Sequence, residues 1–162
     1  METNIKTNGI AMIINGIKEV LNGLDAAEDI IDAPENEALY VEVWEMFPKF
    51  VKAILKYKYF VLWCDEDIAN VHILDTDKES AEWVKTGADI IKEHPNPDTD
   101  NPKQDEFIRK CRFCREISLE QFTELAAEDF TNPSYYNVTE CGLEYSFPLN
   151  DRVIEARFNG KI

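Results

Sequence analysis

Seven apolar residues near the N-terminus constrain the fold most. In NGIAMIINGIKEVLNGL, Ile10, Ile13, Ile14, Ile17, Val20, Leu21 and Leu24 recur at the i, i+3, i+4, i+7 spacing of one helical face. That spacing predicts an amphipathic helix over 9–24, opening after Thr7 or Asn8. Its apolar stripe must be buried against other elements, so the chain needs a partner layer. The helical pattern continues through DAAEDIID, with Ala27 and Ile31 inward, to a boundary at Pro34. ENEALYVEVWEMF sets Leu39, Val43 and Phe47 on one face and predicts a further helix; VEVWEMF also alternates, so a strand competes there. Pro48 suits the first turn of another helix, where its missing N–H is not needed. TDKE (76–79) and SLEQ (118–121) have capping-box form and predict helices over 77–93 and 119–129, with one more at about 105–115. FVLWC is ambiguous between a buried strand and a helix end.

From Tyr135 the period changes. Leu143, Tyr145, Phe147 and Leu149 alternate with polar residues, Asn150–Asp151 offers a turn, and RVIEARF reads as a return strand. A β-hairpin over 142–158 is expected, with YYNVT as a third strand. The fold class is then α+β: one helix-rich domain over 1–162, helical over 1–130 and β-rich over 131–162. Its C-terminal part is an antiparallel hairpin or three-stranded sheet, and PNPDTDNPKQD supplies an exposed loop over 95–104. A chain of 162 residues suits one domain and buries about 70% of its unfolded surface without a staple. The expected core includes Ile13, Ile17, Leu21, Val84, Ile91, Phe107, Phe122 and Leu125.

Charge narrows the function classes. The formal net charge is −15, and both halves of the chain are acidic. This disfavours direct binding of nucleic acid or an anionic membrane and favours a basic partner. The richest apolar stretch, FPKFVKAILKYKYFVLWC, is broken by four lysines, so no membrane span is expected. The N-terminus lacks a signal-peptide pattern, which points to the cytoplasm and to reduced thiols at Cys64, Cys111, Cys114 and Cys141.

Against that acidic background stands RKCRFCRE (109–116), four basic side chains around a C-x-x-C pair. On a helix, Phe107, Cys111 and Cys114 share a face, so the pair reads as core-facing with Arg109, Lys110 and Arg112 outward; Phe113 does not fit that face. Structural zinc needs a second pair of ligands, and a redox dithiol needs a strand and turn before it; neither is present in the pattern. The basic cluster is also a candidate for a phosphate or carboxylate. His72 and His94 are isolated, and no metalloprotease, nucleophile-elbow, Walker or dinucleotide motif occurs. Three acidic clusters (65–70, 75–79 and 98–105) lack the Gly and Glu positions of an EF-hand and read as loops and caps. No cofactor and no metal are expected.

The stretch from Asp25 to Glu45 holds eight acids and no Lys or Arg. Asp25, Glu28, Asp29 and Asp32 would stack along one helical stripe, repeating every ~5–6 Å. Such like-charge neighbours destabilise a helix by a few tenths of a kcal/mol per pair, about the range measured for i,i+4 repulsion. With Glu35, Glu42 and Glu45 they form the candidate partner-binding surface, able to imitate a phosphate backbone. Lys49, Lys52, Lys56 and Lys58 follow with no acid among them; they can balance the acidic stripe or bind an acidic partner. In size, acidity and lack of catalytic motifs the chain resembles phage-encoded inhibitors of host defence nucleases, a likeness of composition. The reading is an acidic inhibitor or interaction protein that blocks a basic, nucleic-acid-handling enzyme in the host cytoplasm. An immunity protein against a basic toxin is a variant of it. A small metal- or thiol-dependent enzyme using Cys111 and Cys114 is the alternative from another class.

Overall fold

A computed structural model describes residues 12–24, 26, 34–65, 68–96, 98–139 and 142–162. Its centre is a five-stranded sheet, antiparallel throughout, in the order β3-β1-β2-β5-β4. The strands are β1 (Tyr59–Asp65), β2 (Ile68–Leu74), β3 (Arg112–Ile117), β4 (Tyr136–Thr139) and β5 (Gly142–Ser146). The helices are α1 (12–24), α2 (Pro34–Leu55), α3 (Asp77–Glu93), α4 (Pro102–Lys110), α5 (Leu119–Ala126) and α6 (Asp151–Phe158). The chain is α+β, as the change of period predicts, but the sheet is larger than a hairpin and is assembled from both halves of the sequence.

Strand alternation divides the molecule into two layers around the sheet. Phe60, Leu62 and Cys64 of β1, Val71 and Ile73 of β2, Phe113 and Ile117 of β3, and Leu143 and Tyr145 of β5 point into one core. There they meet Ile14 of α1, Phe47, Val51 and Leu55 of α2, Phe122 and Leu125 of α5, and Val153 and Ala156 of α6. Phe122 is central: its ring stacks on Phe60 at 5.2 Å and meets Tyr145 edge-on at 5.1 Å. The opposite face carries Trp63, His72, Cys114 and Glu116, covered at the β3–β1 end by α3.

Local signals set the helix ends. The Thr76 and Ser118 side chains accept from the backbone N–H of Glu79 and Gln121, and both capping boxes are complete. Asn101 caps α4, whose first residue is Pro102. Ala127 adopts a left-handed φ of 50°, and the chain leaves α5 there into a short 3₁₀ turn. Gly87 of α3 lies against β3, where any Cβ would overlap Cys114 Sγ and Cβ, so glycine lets helix and strand approach.

Several sequence expectations are corrected. The division into helical 1–130 and β-rich 131–162 fails, because β1, β2 and β3 lie in the first part and α6 in the second. RVIEARF is helix: Val153 and Ala156 are its buried residues, three apart, and the hairpin is closed by YNVT (β4) against GLEYS (β5). RFCREI is strand, not helix. As a strand it sends Phe113 into the core and Cys114 to the opposite face, whereas the helical reading turned Cys114 inward and left Phe113 off that face. FVLWC belongs to β1. Pro48 opens no new helix; α2 runs through it and forgoes the bond its N–H would give to the Trp44 carbonyl. VEVWEMF is helical. The loop ends three residues early, at Asn101, since α4 begins at Pro102.

Of the expected core, Leu21, Phe122 and Leu125 are buried, and Ile17 packs on the core from its edge. Val84 and Ile91 are half-buried. Ile13 and Phe107 are exposed; Phe107 stacks instead on Phe158 at the surface, at 5.4 Å. The expected helical continuation through Ala27 and Ile31 lies outside the described residues.

Candidate interaction surface

The outward side of α2 carries the strongest segregation of charge. Glu35, Glu42 and Glu45, with Glu37, are exposed in its N-terminal half, Lys49 and Lys52 in its C-terminal half, and Lys56 in the turn just after it. The order suits the helix macrodipole, which favours acids at the start and bases at the end. None of these seven forms a salt bridge with another described residue within 4.0 Å. Lys58, by contrast, is drawn away: its ammonium pairs with Asp75, both side chains nearly buried. Asp25, Glu28, Asp29 and Asp32 lie outside the described residues.

Large apolar side chains interrupt the acids. Leu39, Val41, Trp44 and Met46 are all exposed, and Tyr40 stacks on Trp44 with ring centroids 6.1 Å apart and 14° between planes. Beyond them, at the C-terminal end of α2, a cleft of about 480 Å³ is lined by Lys52, Leu55, Lys56, Leu119, Thr123 and Phe130. Lys52 Nζ lies 5.9 Å from the centre of the Phe130 ring. The cleft joins residues about seventy positions apart, so no local pattern announced it.

The RKCRFCRE segment is consumed by the fold. Arg112 Nε donates to Asp65 Oδ1 at 2.9 Å and its Nη1 to Asn96 Oδ1 at 2.7 Å, with the side chain 7% exposed. Arg115 and Arg157 both lie over the ring of Phe113, at 5.5 and 4.8 Å. Lys110 reaches Glu106 and the Phe158 ring. Arg109 alone of the cluster stays exposed without such a contact among the described residues.

The thiols follow the strand. Cys111 is buried at the C-cap of α4; Cys114 points to the α3 side and donates to the Trp83 carbonyl at 3.7 Å. Burial holds the Cys114 thiol up to about 11. Cys64 is pushed up to about 12, by burial first and then by neighbouring Cys111 and Asp65. Both are thiols at neutral pH, the inert form. Cys141 lies outside the described residues. No group of three or more His, Cys, Asp or Glu side chains is arranged to hold a metal ion among the described residues.

His72 is the one histidine in a built environment. It stacks on Trp83 at 4.0 Å, meets Trp63 edge-on, and sets Nδ1 4.0 Å from Glu144 Oε2. Burial lowers its pKa and raises that of Glu144. No serine or cysteine within hydrogen-bonding distance of it completes a nucleophilic triad among the described residues. His94 caps α3 and is exposed.

The acidic clusters serve as caps and pairs: Asp65 holds Arg112, Glu79 closes the α3 capping box, and Asp105 accepts from the Thr99 N–H at 3.0 Å. No helix among the described residues is long and apolar enough to cross a membrane. The chain matches no family model, no curated protein and no solved structure.

Proposed function

We propose that this chain is an acidic interaction protein that binds a basic partner through α2 and occludes it. The observation that carries the reading is the exposure of Glu35, Glu42 and Glu45 around exposed Val41 and Trp44, with no described cation engaging them. An exposed aromatic among unpaired charges is the composition of a protein-binding hot spot rather than of a plain solvated face. The partner class is a basic, nucleic-acid-handling enzyme of the cytoplasm, and the mode is imitation of its nucleic acid, as an anti-defence inhibitor would act. Asp25, Glu28, Asp29 and Asp32, outside the described residues, precede these acids in the sequence. The engagement of Arg112 and the protonated state of Cys114 favour this reading over a dithiol enzyme at the C-x-x-C pair.

The test is equilibrium binding to a basic nuclease with and without nucleic acid. Affinity should fall steeply with salt, since exposed charges act over a Debye length of about 8–10 Å. Nucleic acid should compete. Replacing Glu35, Glu42 and Glu45 by Gln should slow association by roughly tenfold or more, as loss of electrostatic steering does. Simultaneous binding of nucleic acid and this chain, indifferent to salt, would overturn the mimic mode.

A further inference from the structure

We propose that the outer flank of α2 is self-complementary and docks on a second copy of the chain, antiparallel, across a two-fold axis beside Pro48. At 100° per residue, Val41, Trp44, Glu45, Pro48, Lys52 and Leu55 fall on one side of the helix, and Lys56 begins the turn that follows it. At one end of that flank stands a projection: Val41 and Trp44, 48% and 36% exposed, the indole backed by the Tyr40 ring and bordered by Glu42 and Glu45. At the other end lies a recess: the 480 Å³ cleft floored by Leu55, Leu119 and Phe130 and rimmed by Lys52 and Lys56. The projection is apolar with an acidic border, and the recess apolar with a basic one.

The projection and the Lys52–Leu55 edge of the recess sit on one helix, so their spacing is fixed. A two-fold axis brings each projection to the other copy's recess and repeats the contact, as an isologous interface requires. The arrangement must be antiparallel, because a parallel one sets acid on acid and lysine on lysine. With the axis beside Pro48, Glu45 of each copy faces Lys52 of the other, and Glu42 faces Lys56. Trp44 then covers the aliphatic stem of a lysine and the mouth of the cleft. Any other occupant would have to carry the same order of acid, aromatic and base at the same spacing; a second copy has it by construction.

The net charge of −15 on each copy opposes the contact. Local attraction and the apolar insertion must exceed that repulsion, and one helix flank is a small interface, so the dimer is weak and reversible. Salt screens the local attraction and the global repulsion together, so salt dependence does not diagnose this dimer. The inference does not rest on the proposed function, because it needs no partner. Glu42 and Glu45 serve both, so the dimer and the partner complex exclude each other, and the dimer holds the protein in reserve.

Sedimentation equilibrium of the purified full chain, up to about 1 mM, tests it with two variants. Glu42→Lys/Glu45→Lys makes the flank basic throughout, and Lys52→Glu/Lys56→Glu makes it acidic throughout. Each alone should raise the dimer Kd at least about tenfold, since every cross-pair becomes like-charged. Mixed one to one, the two should form a heterodimer, because each Lys placed on one copy meets a Glu placed on the other. The net charges become −11 and −19, so the mixed pair has the same total as two wild-type copies and bulk charge does not account for the recovery. Circular dichroism confirms that each variant is folded. A wild type monomeric at every concentration, reversed variants that self-associate as the wild type does, or folded variants that fail to pair on mixing would each overturn the proposal.

Discussion

Strand β3 and helix α2 both stand out for charge, and the fold treats them in opposite ways. In β3, Arg112 is tied to Asp65 and Asn96, Arg115 lies on Phe113, and Cys114 is closed against α3 at Gly87. In α2 and the turn just after it, three glutamates and three lysines that stood out in the sequence remain exposed and unbridged among the described residues. The difference teaches that local charge density does not mark a site. What matters is whether the fold itself supplies the counter-charge, and in β3 it does so from Asp65, forty-seven positions away.

The comparison breaks first at Arg112. Arg112→Ala should destabilise the fold by about 1–3 kcal/mol, discounted because Asp65 is itself partly exposed. Urea denaturation checks this; a loss below about 0.5 kcal/mol, the level of an ordinary surface change, would mean that the β3 charges are as free as those of α2. Next comes Gly87→Ala. Its methyl would overlap Cys114, a forced overpacking that costs about 1–3 kcal/mol. Adding Cys114→Ala should recover only part, because the Cys114 Cβ itself is 2.6 Å from the new methyl.

How far the sequence shows these contacts is instructive. The helix caps were legible because Thr76–Glu79 and Ser118–Gln121 are local reciprocal hydrogen bonds, complete within four residues. The period of α1 was legible because Ile14 and Leu21 repeat over two turns. Strand β1 was not, since a short apolar run carries no period that separates strand from helix, and β3 was not, since Phe107, Cys111 and Cys114 also fit a helical face. Their identity is fixed by the pairing Trp63↔Cys114, between residues far apart in the chain. RVIEARF misled for the reverse reason: its alternation is real, but Val153 and Ala156 are what the core takes. At the candidate surface, the exposure of Glu35, Glu42 and Glu45 followed from the sequence. The cleft under Lys52 did not, because Leu119 and Phe130 reach it only through the fold.

A smaller effect concerns pH on the α3 side of the sheet. Burial lowers the pKa of His72, so the native state prefers the neutral ring. The associated stability is present above the unfolded-state value of about 6.5 and is lost as pH falls through it and through the lower folded value. Glu144 has the opposite sign: its raised pKa means the native state holds a proton more tightly, so its contribution improves at lower pH and declines as pH rises through the folded value. Urea midpoints from pH 7.5 to about 5.5 should therefore fall for the wild type and fall less for His72→Phe. Equal slopes would show that the Trp83 stack accepts the charged ring as readily as the neutral one.

The most direct measurement sets stability and association side by side for α2. The triple change of Glu35, Glu42 and Glu45 to Gln is compared with a matched triple elsewhere, Asp89, Glu93 and Asp98 to Asn or Gln, all exposed. Each protein is unfolded in urea, and each is titrated with an arginine-rich peptide at about 0.15 M salt, near the physiological Debye length of about 8 Å. The account predicts that both triples leave stability within about 0.5 kcal/mol, while only the α2 triple weakens peptide binding, by roughly tenfold or more. Equal weakening by the two triples, or a loss of stability from the α2 triple with binding unchanged, would contradict it.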